Sequence, residues 1–106
     1  MPYRSKFKNE ETELLFSAIL SLETKEDCYR FFEDVCTAGE LQAIAQRFRI
    51  AKFLSENLTY QEIEKRIPTS TATISRIKRS LKYGADGYKN AIEKLNRRDK
   101  NPSNEK

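Results

Sequence analysis

Histidine is absent from this chain, and cysteine, glycine and proline are scarce: two, three and three among 106 residues. With no imidazole and only two thiols, the ligand set of a structural zinc site cannot be assembled, and no metal is expected. Cys28 and Cys36 fall in what reads as one helix. Their spacing along it is about 12 Å, too long for a disulfide, so two small buried or half-buried thiols are expected. The chain carries no glycine-rich phosphate loop and no Ser-His-Asp constellation. The acid pairs Glu10-Glu11 and Glu33-Asp34 are adjacent, so on a helix they diverge and serve as surface charge. An enzyme is therefore not expected, nor a cofactor. No apolar run approaches the roughly 20 residues that span a bilayer. The start, Met1 to Lys6, lacks the apolar stretch of a signal peptide, and a cytoplasmic protein is expected.

What is present is a helix-friendly mixture, 38% hydrophobic and 34% charged, which belongs to globular rather than disordered chains. The length allows one domain with a modest core. A loosely ordered basic segment is expected at 1–9, a single helical domain at 10–97, and a frayed tail at 98–106. Charge is uneven. Residues 1–9 carry Arg4, Lys6 and Lys8 and no acid; residues 10–58 hold ten acids against five bases; residues 59–100 hold eleven bases against five acids. The overall +4 thus conceals an acidic half and a basic half. Residues 69–82 contain Arg76, Lys78, Arg79 and Lys82 and no acid. A basic stripe on one element suits a polyanion, because each neutralised phosphate releases a counterion.

Hydrophobic spacing predicts helices at about 10–22, 25–36, 38–55 and 86–97, besides two short ones between 59 and 82. In the first, Leu14, Leu15, Ala18, Ile19 and Leu22 share a face that Phe16 and Leu20 widen. Thr24 with Asp27 opens the second, where Cys28, Phe31, Phe32 and Val35 stack. Thr37 and Glu40 form a capping box for the third. That helix carries Leu41, Ile44, Ala45, Phe48 and Ala51 on one face, with Ile50, Phe53 and Leu54 off it. A helix apolar on several sides must be buried on several sides, and a chain this short offers few partners, so a homodimer is expected. Gly84 reads as a C-cap. Asp86 reads as the N-cap of the last helix, which aligns Tyr88, Ala91, Ile92 and Leu95.

Residues 59–82 carry the functional signal. Thr59 and Glu62 make another capping box, Pro68 stops the short helix, and Thr69 or Ser70 starts the next. Two helices crossing near a right angle need apolar residues at fixed places. Counting from Tyr60, these are the fourth, eighth, fifteenth and eighteenth positions, occupied by Ile63, Ile67, Ile74 and Ile77. The pattern departs at position five, usually small but here Glu64, and at position nine, often glycine but here Pro68. The reading is a helix-turn-helix, whose second helix enters the major groove. Ser70, Thr71, Ala72, Ser75, Arg76 and Arg79 should then face outward. The small hydroxyl residues permit close approach to bases or phosphates, and the alanine and threonine methyls can meet a thymine methyl. Lys78, Lys82 and Lys65 suit phosphates. Thr59 and Gln61, at the start of the first short helix, complete the candidate contact set. With no aromatic surface apparent beside the basic stripe, duplex DNA is favoured over RNA.

The segments 28–37 (CYRFFEDVCT), 40–51 (ELQAIAQRFRIA), 70–76 (STATISR) with 78–82 (KRSLK), and 83–88 (YGADGY) resemble the Trp repressor superfamily, most closely its YerC/YecD-type members. The resemblance covers roughly residues 12–95. It implies an all-α, six-helix, intertwined homodimer that binds operator DNA as a transcriptional repressor. It also implies an effector pocket at Thr37, Arg47, Thr73, Arg76 and Ser80, where the repressor's arginines sandwich tryptophan. The glycine that leaves room for the ligand there is Ile77 here. Its side chain fills that space, so tryptophan is not expected as an effector, and Arg47 is expected as a partly buried, paired arginine. The rival reading is a helix-turn-helix used to dock on another protein without DNA affinity.

Overall fold

Helix starts in this chain are written by side chains that accept from orphan backbone amides, and the computed structural model, which describes residues 3–99, shows them at work. Six helices follow in order: α1 Glu10–Leu20, α2 Lys25–Val35, α3 Ala38–Ser55, α4 Tyr60–Arg66, α5 Thr71–Tyr83 and α6 Gly87–Asp99, with no strand among the described residues. Reciprocal capping boxes join Thr24 to Asp27 and Thr59 to Glu62. The third expected box is also present: Glu40 N–H donates to Thr37 Oγ1 at 3.1 Å, and Thr37 N–H to Glu40 Oε1 at 2.8 Å. A further box was not foreseen. Asn9 Oδ1 accepts from Thr12 N–H, and Thr12 Oγ1 accepts from Asn9 N–H. Threonine here does what Glu or Gln does in the usual motif, which hid the signal.

The chain divides into two compact units between Leu41 and Gln42. The first holds α1 and α2. A turn precedes α1, with Phe7 N–H donating to Ser5 Oγ. The helix ends two residues earlier than periodicity predicts, because Ser21 Oγ donates to the Ala18 carbonyl and Leu22 N–H reaches back only to Ile19. Neither α1 nor α2 contains a buried residue. Phe31 and Phe32 meet edge to face, while Leu14, Phe16, Leu20, Tyr29 and Val35 stay exposed. Cys28, expected to be at least half-buried, is exposed; Cys36, at the C-cap of α2, is half-buried, and both are free.

The second unit has a true core. Ile50 and Ala51 of α3, Ile63 of α4, Ile67 of the turn, Ile74 and Ile77 of α5 and Ile92 of α6 are all buried and form one cluster. Phe48, Phe53, Leu54, Leu58, Tyr60, Leu81 and Tyr88 pack around it. Each isoleucine so placed contributes about 1.5–3 kcal/mol. The end of α3 closes by a Schellman motif: Leu58 N–H donates to the Phe53 carbonyl and Asn57 N–H to that of Leu54. Asn57 takes the left-handed position with φ 68°, a role more often given to glycine.

Gly84 ends α5 as expected, its N–H donating to the Ser80 carbonyl at 2.9 Å. A Cβ at Gly84 would run into that same backbone carbonyl oxygen, so any side chain there forces the backbone to shift. Asp86 begins α6 differently from expectation. Its carbonyl accepts from Asn90 N–H, but its φ of 67° is left-handed, unlike the extended backbone at Asn9, Thr24, Thr59 and Ser70. Aspartate tolerates this conformation better than most residues.

Candidate nucleic-acid interface

The turn between α4 and α5 is built from what proline forbids and isoleucine supplies. Ile67 caps α4 in an extended conformation (φ −135°, ψ 129°), the conformation imposed on a residue before proline. Its side chain meanwhile enters the core, 3% exposed. Ser70, extended as well, starts α5: its Oγ accepts from Thr73 N–H and lies 3.1 Å from Thr73 Oγ1. All four isoleucines required by the helix-turn-helix spacing are buried, with Ile63 and Ile74 at 0% and Ile77 at 4%.

Because Ile74 and Ile77 occupy one side of α5, the other side is presented to solvent. Ala72, Ser75, Arg76 and Arg79 repeat at intervals of three and four along it, and all are exposed. Thr71, Lys78 and Lys82 are exposed on a flank of the same face. Neither Arg76, Arg79, Lys78 nor Lys82 enters an ion pair among the described residues, so these cations are available to an anionic partner. Lys78 is held with its Nζ 5.7 Å from the centre of the Tyr60 ring. Lys78, Lys82, Tyr60 and Thr59 share a cleft with Leu54, Leu58 and Leu81 beneath. Gln61 is exposed at the start of α4, and Thr59 is exposed with its hydroxyl engaged in the capping box.

Several features escaped the sequence reading. Glu64, at the position where the motif usually has a small residue, accepts from Thr71 Oγ1 at 2.7 Å. The bond ties α4 to the first residue of α5. Tyr83, one turn beyond Arg79, is 76% exposed, so an aromatic does stand beside the basic stripe. Arg49 and Arg66 both lie over the Phe53 ring, at 5.2 and 5.5 Å from its centre. Glu64–Thr71 and Arg66–Phe53 join different elements, which spacing along one helix cannot reveal, whereas Arg49–Phe53 and Arg79–Tyr83 lie four residues apart within α3 and α5 and were open to that spacing.

The five effector positions have different local surroundings. Thr37 belongs to the first unit and accepts the amide of Glu40 with its hydroxyl. Thr73 is half-buried beside Ser70. Ser80 lines a cleft of about 450 Å³ with Phe48, Gly84, Ala85, Gly87, Tyr88 and Ala91; Arg47, Thr73 and Arg76 are not in that lining. Arg47, expected to be partly buried and paired, is exposed and makes no ion pair among the described residues. No cluster of ligating side chains that could hold a metal ion occurs among the described residues, and none of their helices is long and apolar enough to cross a membrane.

Six helices with a buried isoleucine clamp beneath an exposed basic helix define a helix-turn-helix protein. The family model "Trp repressor protein" matches residues 10–96. YerC of Bacillus subtilis, described as uncharacterized, is 49% identical over 90 residues, covering 85% of this chain and 86% of its own. A Trp operon repressor homolog of Chlamydia caviae is 35% identical over 78 residues, covering 73% of this chain and 77% of its own. The crystal structure of a TrpR-like protein from Eubacterium eligens superposes with a TM-score of 0.82 at 50% identity, covering 86% of this chain and 94% of the other. The chain belongs to the Trp repressor family.

Proposed function

We propose that this protein is a homodimeric, sequence-specific binder of double-stranded DNA that represses transcription by placing α5 in the major groove. The observation that carries this reading is the two-sidedness of α5: Ile74 and Ile77 are buried on one side while Ala72, Ser75, Arg76 and Arg79 are exposed on the other. A fixed helix with small residues at its N-terminal half can approach base edges closely, and the basic side chains around them supply phosphate affinity. Thr59, Gln61, Ser70, Thr71, Lys78 and Lys82 complete the contact set. The name of the Chlamydia relative supports a regulatory role.

Two finer points belong to the same reading. Ile77 lies in the core, which supports control that does not depend on tryptophan, since its side chain occupies space that a ligand beside α5 would need. The exposed apolar side chains of α1 and α2 support a homodimer, in which a second copy covers them.

The test is binding of the full chain to duplex DNA selected from genomic fragments, with salt varied. Affinity should fall steeply between about 50 and 200 mM salt. Selected sites should contain two half-sites about one helical turn apart, and replacing both Arg76 and Arg79 with alanine should abolish binding. A wild-type protein without duplex affinity even at low salt would overturn the proposal and favour docking on another protein. Isothermal titration should show no micromolar tryptophan binding.

A further inference from the structure

The hydrogen bond between Thr71 and Glu64 fixes which proton the tip of α5 can offer. Threonine has one hydroxyl proton and two lone pairs. Thr71 donates that proton to Glu64 Oε2 at 2.7 Å, a short, charge-assisted bond. What remains toward solvent is acceptor capacity only: the lone pairs of Thr71 and the free lone pairs of the carboxylate. Glu64 pairs with no cation among the described residues. Glu64 of α4 and Thr71, the first residue of α5, are both exposed, and Thr71 stands at the end that a helix-turn-helix directs into the groove.

We propose that Glu64 and Thr71 form a paired acceptor patch that selects a base bearing an exocyclic amine, adenine or cytosine, at one position of each half-site. The inference rests on the DNA-reading role proposed above. In the major groove adenine N6 and cytosine N4 are donors, whereas guanine N7 and O6 and thymine O4 are acceptors. A carboxylate with a committed hydroxyl has nothing to donate to guanine O6 or thymine O4, and it repels phosphate. Covering the patch strips its water, so an amine must replace that water or the carboxylate loses hydrogen bonds it had in solution. The large acidic residue at a position that usually holds a small one thus becomes an element of recognition.

The experiment is selection of bound duplexes from a randomised library by the full-length wild type and by the variants Glu64→Gln, Thr71→Val and Thr71→Ser, with folding of each checked by circular dichroism and melting. Wild type should enrich adenine or cytosine at one position per half-site, and Thr71→Ser should keep that preference. The amide in Glu64→Gln can donate to Thr71 and leave the hydroxyl proton free for an acceptor base. Preference for adenine or cytosine at that position should drop about fivefold or more, with other positions unchanged. Thr71→Val should lower it similarly by removing one acceptor. Site preferences identical in wild type and both Glu64→Gln and Thr71→Val would overturn this inference alone. Absence of any duplex affinity in the wild type would overturn it together with the function on which it rests.

Discussion

At the scale of single residues, stability depends on a few positions where backbone leaves no choice. At Gly84 an added methyl meets a backbone carbonyl rather than a movable side chain. Gly84→Ala should cost about 1–3 kcal/mol, read from chemical denaturation, and should open the α5–α6 link. Asn57 is different. Its φ of 68° is left-handed, where a Cβ crowds the following carbonyl and asparagine is tolerated better than alanine, so Asn57→Ala should cost about 1–2 kcal/mol, while Asn57→Gly should leave the melt unchanged or raise it. Two caps make stability depend on acid. Glu62 has its carboxyl pKa lowered, first because Thr59 N–H donates to it, and Asp27 likewise because Glu23 N–H does. Both carboxyls favour the fold when ionised, fully so above the ordinary carboxylate range near pH 4. That contribution is lost as pH falls through the lower value held in the folded state. Urea melts of Glu62→Gln and Asp27→Asn should therefore lose less stability than wild type does between about pH 5 and 3; equal slopes would count against this account.

At the scale of elements, the helix-turn-helix is a unit whose stability and surface are two sides of one pattern. Ile77→Ala should destabilise the second unit by about 2–5 kcal/mol, measured by thermal melting, and weaken DNA binding only as far as folding is lost. Most of this element was legible in the chain. Ile63, Ile67, Ile74 and Ile77 sit at the spacing a helix-turn-helix needs, a reading that the basic residues among and after them strengthen, and the bounds of α3 follow from a capping box and apolar residues that recur as far as Leu54. Less legible were features that depend on another element or on an uncommon partner. Asn9 pairs with a threonine rather than a glutamate, and the end of α1 is set by a serine bond to its own backbone. Periodicity also says which side of a helix is apolar, not whether anything covers it. Hence Cys28 and Val35, aligned with Phe31 and Phe32, are exposed. Arg47, read as paired, stands in solvent because the nearest turns of α3 place no carboxylate against it.

At the scale of the molecule, apolar surface is distributed unequally. The second unit buries its isoleucines, whereas α1 and α2 contain no fully buried residue. Leu14 at 74% and Leu20 at 85% exposure are the clearest instances, and exposed apolar area of this kind marks surfaces that associate. The chain should sediment as a dimer in analytical ultracentrifugation. Leu14→Glu combined with Leu20→Glu should shift it to monomer and lower DNA affinity while leaving α4 and α5 folded. A wild-type monomer at micromolar concentration would refute the dimeric reading.

The seating of Ile77 has a bearing on control. A reading helix that hinges on an empty slot can be set or released by whatever small molecule fills the slot. Ile77 of α5 lies instead in a core that it shares with residues of α3, α4 and α6. Under the proposed function tryptophan then has no such slot to fill, and occupancy of a site does not follow its concentration.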